Sequence, residues 1–228
     1  MNGSLVVVDD VAASFAQLVA DRAAAKATSQ FALAFSGGST ARECYAHLAC
    51  FGTSAIDWST FDAWWGDERC VPLTDADSNY RLVEESLLSK VPALASVQPM
   101  RSDIPNAADV YDRLVRSVPP IDIIHLGLGP DGHTASLFPQ SEALTAPAER
   151  LVVSNIDPLA HNPHERLTFT FSGIARCRSA VVTVAGASKT EALHRVLDGD
   201  LTAPATHLVN ADLIWLVDPE ALGSRTAR

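Results

Sequence analysis

Positive charge is what this sequence has least of. Its 228 residues carry 17 Lys and Arg against 27 Asp and Glu, a formal net charge of −10. Nucleic acid and anionic membrane are therefore excluded as main partners, because no basic field meets them. A small anionic ligand is still allowed, provided the fold gathers a local cluster of cations. Cysteine is sparse as well. Cys44, Cys50, Cys70 and Cys177 form no Cys-x-x-Cys pair and no dense framework, which points to reduced thiols in a cytoplasmic protein. Met1–Asp10 lacks the basic region and apolar length of a signal peptide. No apolar run approaches the length that spans a bilayer.

Several catalytic signatures are missing too. No Gly-Lys-Ser/Thr follows a glycine loop, and no G-x-G-x-x-G spacing occurs, so neither a Walker loop nor a dinucleotide fingerprint is present. No Gly-x-Ser-x-Gly elbow offers a serine nucleophile, and no cysteine has a setting that favours a thiolate. His161 and His164 stand three apart beside Glu165, but Asn162-Pro163 between them opposes a helix and no further ligands cluster nearby. No metal and no organic cofactor is expected.

What is present is core. Hydrophobic residues make up 47% and charged residues 19%, and the length fits one large domain or one domain with a small lobe. Leu5 to Val8 reads as a strand, and the alanine-rich segment to about Lys26 carries Val11, Phe15, Leu18 and Val19 at helical spacing. Phe31 to Phe35 is a strand that ends in Ser36-Gly37-Gly38-Ser39-Thr40. Thr40 and Glu43 have capping-box spacing, which predicts a helix from near Ala41 towards Cys50. Strand, glycine loop and helix start together turn backbone N–H groups towards an anion. A plain turn is the other reading of this loop.

Phe61 to Gly66 predicts a third strand, with Asp67-Glu68-Arg69 as a charged loop at its end. Ser78-Asn79 precedes a helix bearing Leu82, Val83 and Leu87. A short strand falls near Val97 to Met100 and a helix over Ala107 to Ser117. Leu151 to Ser154 reads as a strand and Ile156 to His164 as a proline-containing loop. Arg166 to Phe171 alternates as a half-exposed strand does. Ala180 to Ala185 is a buried strand breaking at Gly186, with Ser188 and Glu191 repeating the capping-box spacing. Lys189 then falls in a first helical turn, where a cation is disfavoured unless it faces an anion. Leu213 to Val217 is the last strand, followed by a frayed tail. The alternation predicts an α/β fold: a doubly wound, mainly parallel sheet with helices on both faces and a small antiparallel addition near 166–171.

One stretch organises the chain. Ile121 to Leu128 is apolar except for Asp122 and His125, as a buried parallel strand is. It breaks into Gly127-Leu-Gly129-Pro130-Asp131-Gly132-His133, at the strand end where open α/β sheets place chemistry. His133 is the candidate general base; an incidental histidine on a glycine turn is the alternative. His125 reads as a satisfied core residue. His47, His194 and His207 read as structural or exposed.

The segments Ser36–Thr40, Gly66-Asp-Glu-Arg69, Ser78-Asn79, Leu126–Pro139, Arg166-Leu-Thr168 and Gly186-x-x-Lys189 together resemble the glucosamine-6-phosphate isomerase/6-phosphogluconolactonase family, in order and over nearly the whole chain. The resemblance implies the modified Rossmann fold shared with glucosamine-6-phosphate deaminase and ribose-5-phosphate isomerase, with residues 1–228 forming one sugar-phosphate-binding catalytic domain. It implies hydrolysis of 6-phosphogluconolactone in the oxidative pentose phosphate pathway. The phosphate is expected on the Ser36, Gly37, Gly38, Ser39 and Thr40 backbone, held by Arg166 and Lys189. His133 is expected to activate water. Asp131 either orients that imidazole or stabilises the turn. Arg69 either offsets charge on the carbonyl oxygen or pairs with Asp67 or Glu68. Asn79 either contacts sugar hydroxyls or caps its helix. The expected partner is a small sugar-phosphate lactone, and the expected assembly a monomer or weak dimer.

Two rivals stand beside this reading. In the deaminases the segment after Asp-Gly-His resembles Ile-Ala-Phe-Asn-Glu-Pro, whose glutamate assists ring opening. Here Leu137 and Phe138 occupy the asparagine and glutamate positions, and an apolar side chain passes no protons. A non-catalytic sugar-phosphate sensor would need a DNA-binding segment, for which there is no length before Leu5 and no basic patch.

Overall fold

The computed structural model describes residues 1–26, 30–51 and 56–225. Seven strands form one parallel sheet: β1 (Ser4–Val7), β2 (Phe31–Phe35), β3 (Phe61–Trp65), β5 (Ser96–Gln98), β6 (Ile123–Gly127), β9 (Ser179–Val184) and β10 (Leu213–Val217). Their order is β1-β10-β9-β6-β2-β3-β5. The remaining strands, β4 (Asp67–Arg69), β7 (Val152–Asn155) and β8 (Arg166–Phe169), form a small antiparallel sheet in the order β4-β8-β7. The central strands β6 and β9 are almost wholly buried, as parallel strands covered on both faces must be.

Side-chain alternation shows how both faces are covered. Phe35 and Trp65 stand opposite one another in register, and Phe35 packs edge-on against Tyr45 of helix α2 (Ser39–Cys50). Helix α1 (Val11–Ala25) lies beside α2, its Phe15 stacked on His125. Trp64 points to the opposite face, where it meets Tyr111 of helix α4 (Ala107–Ser117). Tyr111 in turn donates to the carbonyl of Gln98 at 2.9 Å. The other α-helices among the described residues are α3 (Asn79–Ser86), α5 (Phe171–Arg176), α6 (Thr190–Leu197) and α7 (Pro219–Leu222).

Topology sets the position of the site. From β2 the chain builds outward through β3 to β5, then returns so that β6 pairs with β2 on its other edge and β9 and β10 follow beyond. The order of the sheet reverses between β2 and β6. Connections leaving the carboxyl ends of two such strands diverge and open a crevice. The two loops at that point are Ser36–Thr40 and Leu128–His133.

Several expectations fail locally, each for a physical reason. Neither capping box forms. Helix α2 begins at Ser39, capped by Gly38 at φ 102°, a conformation that side chains resist. A 3₁₀ turn (Ala187–Lys189) precedes α6, whose first residue is Thr190, with no side-chain cap bond. The Asp67-Glu68-Arg69 triplet is a strand rather than a loop, because β8 pairs with it. All four β8 residues are buried, so the strand is not half-exposed: its polar face turns towards the site instead of solvent. The segment after Val217 is not frayed up to Leu222, since Asp218 caps helix α7 by accepting from Ala221 N–H at 2.7 Å. Residues 226–228 lie outside the described residues.

Candidate active site

The two loops enclose a cavity of about 230 Å³ lined by residues from both sheets. Every residue singled out for the site from sequence contributes to its lining except Asp131, which stands behind His133. His133 is held at its Nδ1 by Asp131 Oδ1 at 2.5 Å, and the same carboxylate oxygen accepts from the His133 backbone N–H at 3.1 Å. Asp131 is partly buried, which works against its ionisation. The imidazole and N–H beside it prevail and hold its carboxyl below the ordinary range. With Nδ1 committed to a carboxylate, Nε2 is the ring nitrogen left to accept a proton. Glycine at position 129 leaves the room this ring placement needs, because a Cβ there would overlap the His133 ring. Phe138 meets the imidazole edge-on with ring centroids 5.1 Å apart.

The cations lie around the same cavity. Arg166 is buried, its Nη2 donates to Pro163 O at 3.0 Å, and its Nε has no partner among the described residues. Burial, and then the neighbouring Arg69, lower its pKa. A desolvated guanidinium with an unused N–H is completed by an anion. Arg166 also sits over the Phe138 ring, 5.8 Å from its centroid. Lys189 Nζ donates to Leu128 O at 2.8 Å; half-burial lowers its pKa while Asp131 works in the opposite sense. The acidic chain does gather the local cation cluster that a small anion demands.

Arg69 pairs with neither Asp67 nor Glu68. Its Nη1 donates to Asn79 Oδ1 at 2.5 Å, and Asn79 Nδ2 donates to Asp67 O at 2.8 Å. Asn79 does not cap its helix, because the cap is Ser78, whose hydroxyl accepts from Arg81 N–H at 3.3 Å. A Cβ on Gly37 would overlap the Asn79 amide, so glycine at this position lets the loop close on the Arg69–Asn79 pair. Glu68 works from below. It accepts from the N–H groups of Arg69, Asn79 and Tyr80 and from the Ser78 hydroxyl. Burial raises its pKa, with those donors opposing. Glu68 thereby fastens the start of α3 to β4 and holds Arg69 in place.

The cavity also contains residues that sequence reasoning missed: Asp67, Ser136, Asn162 and Thr183. Asp67 accepts from the Ser136 hydroxyl at 2.6 Å, and Ser136 N–H donates to Thr168 Oγ1 at 3.1 Å. Asn162 is held by Asp157 through its backbone and side-chain amides, both at 2.9 Å. Ser136 lies in the motif that drew attention first, but Asn162 and Thr183 lie in a loop and a strand with no signal of their own. Among the described residues, no group of three or more His, Cys, Asp or Glu side chains could hold a metal ion. No helix among them is long and apolar enough to cross a membrane.

Fold and site thus define an α/β protein with a carboxylate-held imidazole and a cluster of cationic side chains at the switch point of a parallel sheet. Residues 6–215 match the family described as glucosamine-6-phosphate isomerases/6-phosphogluconolactonase, and the chain belongs to that family. It is 37% identical over 208 residues to a 6-phosphogluconolactonase of Synechocystis, covering 84% of this chain and 83% of that one. It is 33% identical to 6-phosphogluconolactonase 3 of Saccharomyces cerevisiae, covering 86% and 84%. Among solved structures, a 6-phosphogluconolactonase of Shewanella baltica superimposes with a TM-score of 0.76 at 28% identity, over 95% of this chain and 97% of that one. A monomeric glucosamine-6-phosphate deaminase superimposes at 0.85 with 19% identity, over 99% and 100%, a likeness of fold alone.

Proposed function

We propose that the protein hydrolyses 6-phospho-D-glucono-1,5-lactone to 6-phosphogluconate, with His133 as general base. The observation that carries this reading is the shared cavity: His133, backed by Asp131, and the incompletely satisfied Arg166 line one crevice with the Ser36–Thr40 loop. The phosphate rests on the loop N–H groups at the start of α2, with Arg166 and Lys189 supplying charge. The lactone carbonyl lies towards His133. Nε2 takes a proton from water as the water oxygen attacks C1, and Arg69 offsets the charge that develops on the carbonyl oxygen. The C1–ring-oxygen bond then breaks, and the proton on Nε2 passes to the departing alkoxide. The product acid ionises, so each turnover releases one proton. Asn79 and Glu68 act through Arg69, and Asp131 acts through His133. Phe138, between imidazole and guanidinium, keeps that wall apolar and offers no second acid for opening a hexose ring.

The test generates the lactone in situ and follows proton release. His133→Ala is expected to lower turnover by at least about 10²-fold while 6-phosphogluconate still binds. Turnover that stays at the wild-type level would remove His133 from the mechanism. In the same preparation, Arg166→Ala and Lys189→Ala are expected to weaken 6-phosphogluconate about 10-fold or more and gluconate far less. Equal losses on both ligands would mean the phosphate lies elsewhere.

A further inference from the structure

Beneath the phosphate-end loop runs a buried hydrogen-bonded chain that starts at Ser36 of that loop and continues through Tyr45, His125 and Thr183, which the chemistry above does not use. Ser36 N–H donates to Tyr45 Oη at 2.7 Å. Tyr45 Oη lies 2.8 Å from His125 Nδ1 and 3.2 Å from Ser36 O. His125 Nε2 lies 2.9 Å from Thr183 Oγ1. Tyr45 and His125 are essentially without exposure, and Phe15 stacks on the imidazole with centroids 4.0 Å apart. Thr183, at the other end, lines the cavity.

Counting hydrogens gives the chain a direction. Tyr45 has one hydroxyl hydrogen, and the shorter of its two choices is His125 Nδ1. Nδ1 is then an acceptor, so the ring hydrogen sits on Nε2 and is donated to Thr183 Oγ1. Thr183 has its own hydrogen left. Besides His125, Thr183 meets the Cys44 thiol, a weak acceptor, and it lines the cavity. Strand β9 fixes Thr183 beside Gly127 of β6, its partner in register. This is the strand-end position between the Ser36 loop and the Gly186–Lys189 turn.

We propose that Thr183 is a further substrate-binding residue that donates a hydrogen bond to the phosphate end of the ligand, aimed by the chain Ser36–Tyr45–His125–Thr183. The inference rests on the lactonase reading for the identity of the ligand. The chain ties the loop carrying the N–H donors and the hydroxyl across the cavity into one rigid unit, so that a phosphate meets both in fixed register. Tyr45 and His125 are positioning residues in this arrangement, since neither touches the ligand.

The experiment compares Thr183→Val, which keeps the shape and removes the hydroxyl, with Thr183→Ser, which keeps the hydroxyl. Binding of 6-phosphogluconate, gluconate and inorganic phosphate is measured by calorimetry, and kcat and KM by proton release. Thr183→Val is expected to weaken 6-phosphogluconate and raise KM by about tenfold, with kcat within about twofold and gluconate binding unchanged. Thr183→Ser restores most of the loss. Tyr45→Phe, which leaves the chain without its middle link, shifts KM in the same sense. Nitrogen NMR of the imidazole reads Nε2–H as the tautomer of His125 in wild type, whatever the variants do to stability. A KM unmoved by Thr183→Val, a failure of Thr183→Ser to rescue, or an Nδ1–H tautomer each overturns the proposal. A wild type that neither binds 6-phosphogluconate nor accelerates lactone hydrolysis defeats the lactonase reading instead, and that outcome is seen before any variant is made.

Discussion

His125 and His133 stand eight residues apart in one stretch and do opposite things. His125 is inside β6, sealed under Phe15, with a neutral partner on each ring nitrogen. Burial drives its pKa down to about 3, so it stays uncharged. His133 is on the loop just beyond the strand end, partly exposed, with a carboxylate on one nitrogen and the cavity before the other. The side chain is the same. What differs is the partner: hydroxyls flank the imidazole inside the strand, and a carboxylate holds the one on the loop. A few residues of glycine-rich backbone separate the two environments.

The comparison breaks most visibly if the carboxylate is taken from His133. Asp131→Asn replaces the charged acceptor with an amide that can donate its N–H to Nδ1 and leave the ring hydrogen on Nε2, the wrong tautomer for a base. We expect kcat to fall on the order of 10²-fold with 6-phosphogluconate affinity within about twofold. Stopped-flow or pH-stat rates on freshly generated lactone measure it. If kcat is retained, Asp131 serves only the turn.

Much of this contrast could be read in the sequence, because it rests on local pattern. The apolar run with one histidine inside it and the glycine break with another after it are visible as letters. So are the helix over Ala107–Ser117 and the strands Phe31–Phe35 and Leu213–Val217, which end where turn residues end them. Long-range pairing was not visible. Asp67–Arg69 is a strand only because Arg166–Thr168 returns to pair with it, and β8 is buried on its polar face because the site covers it. Glu68 looks like a surface charge until three donors from the start of α3 and the Arg69 N–H converge on it. The capping boxes show the reverse hazard: a correct spacing at Thr40 and Ser188, defeated by glycines that begin each turn earlier. Thr183 carries no signal in the chain, since its meaning comes from His125 across the sheet.

The contrast sharpens, with a smaller effect, in stability against pH. His125 has a folded pKa of about 3 and an unfolded one near 6.5. Between those values the unfolded chain holds a proton that the folded protein refuses. The stability His125 contributes is therefore fully present above about pH 6.5 and is lost as pH falls towards 3, at up to about 1.4 kcal/mol per pH unit. Asp131 and Asp112, whose carboxyls are held low, begin to add their own loss only below the ordinary carboxylate range near pH 4. Urea titrations between pH 6.5 and 4.5 keep those carboxylates out; Glu68, whose carboxyl burial raises, titrates there in both proteins, and comparison with a variant at residue 125 removes its share. His125→Asn will lower stability at every pH by removing two hydrogen bonds and a stacked ring, so its absolute value decides nothing. Its slope does: the variant should lose the part of the pH dependence that belongs to residue 125, leaving a flatter line than wild type in that window. Parallel lines would mean that His125 accepts its proton in the folded state. The buried histidine under the Ser36–Thr40 loop would then be no different in kind from the base proposed at residue 133.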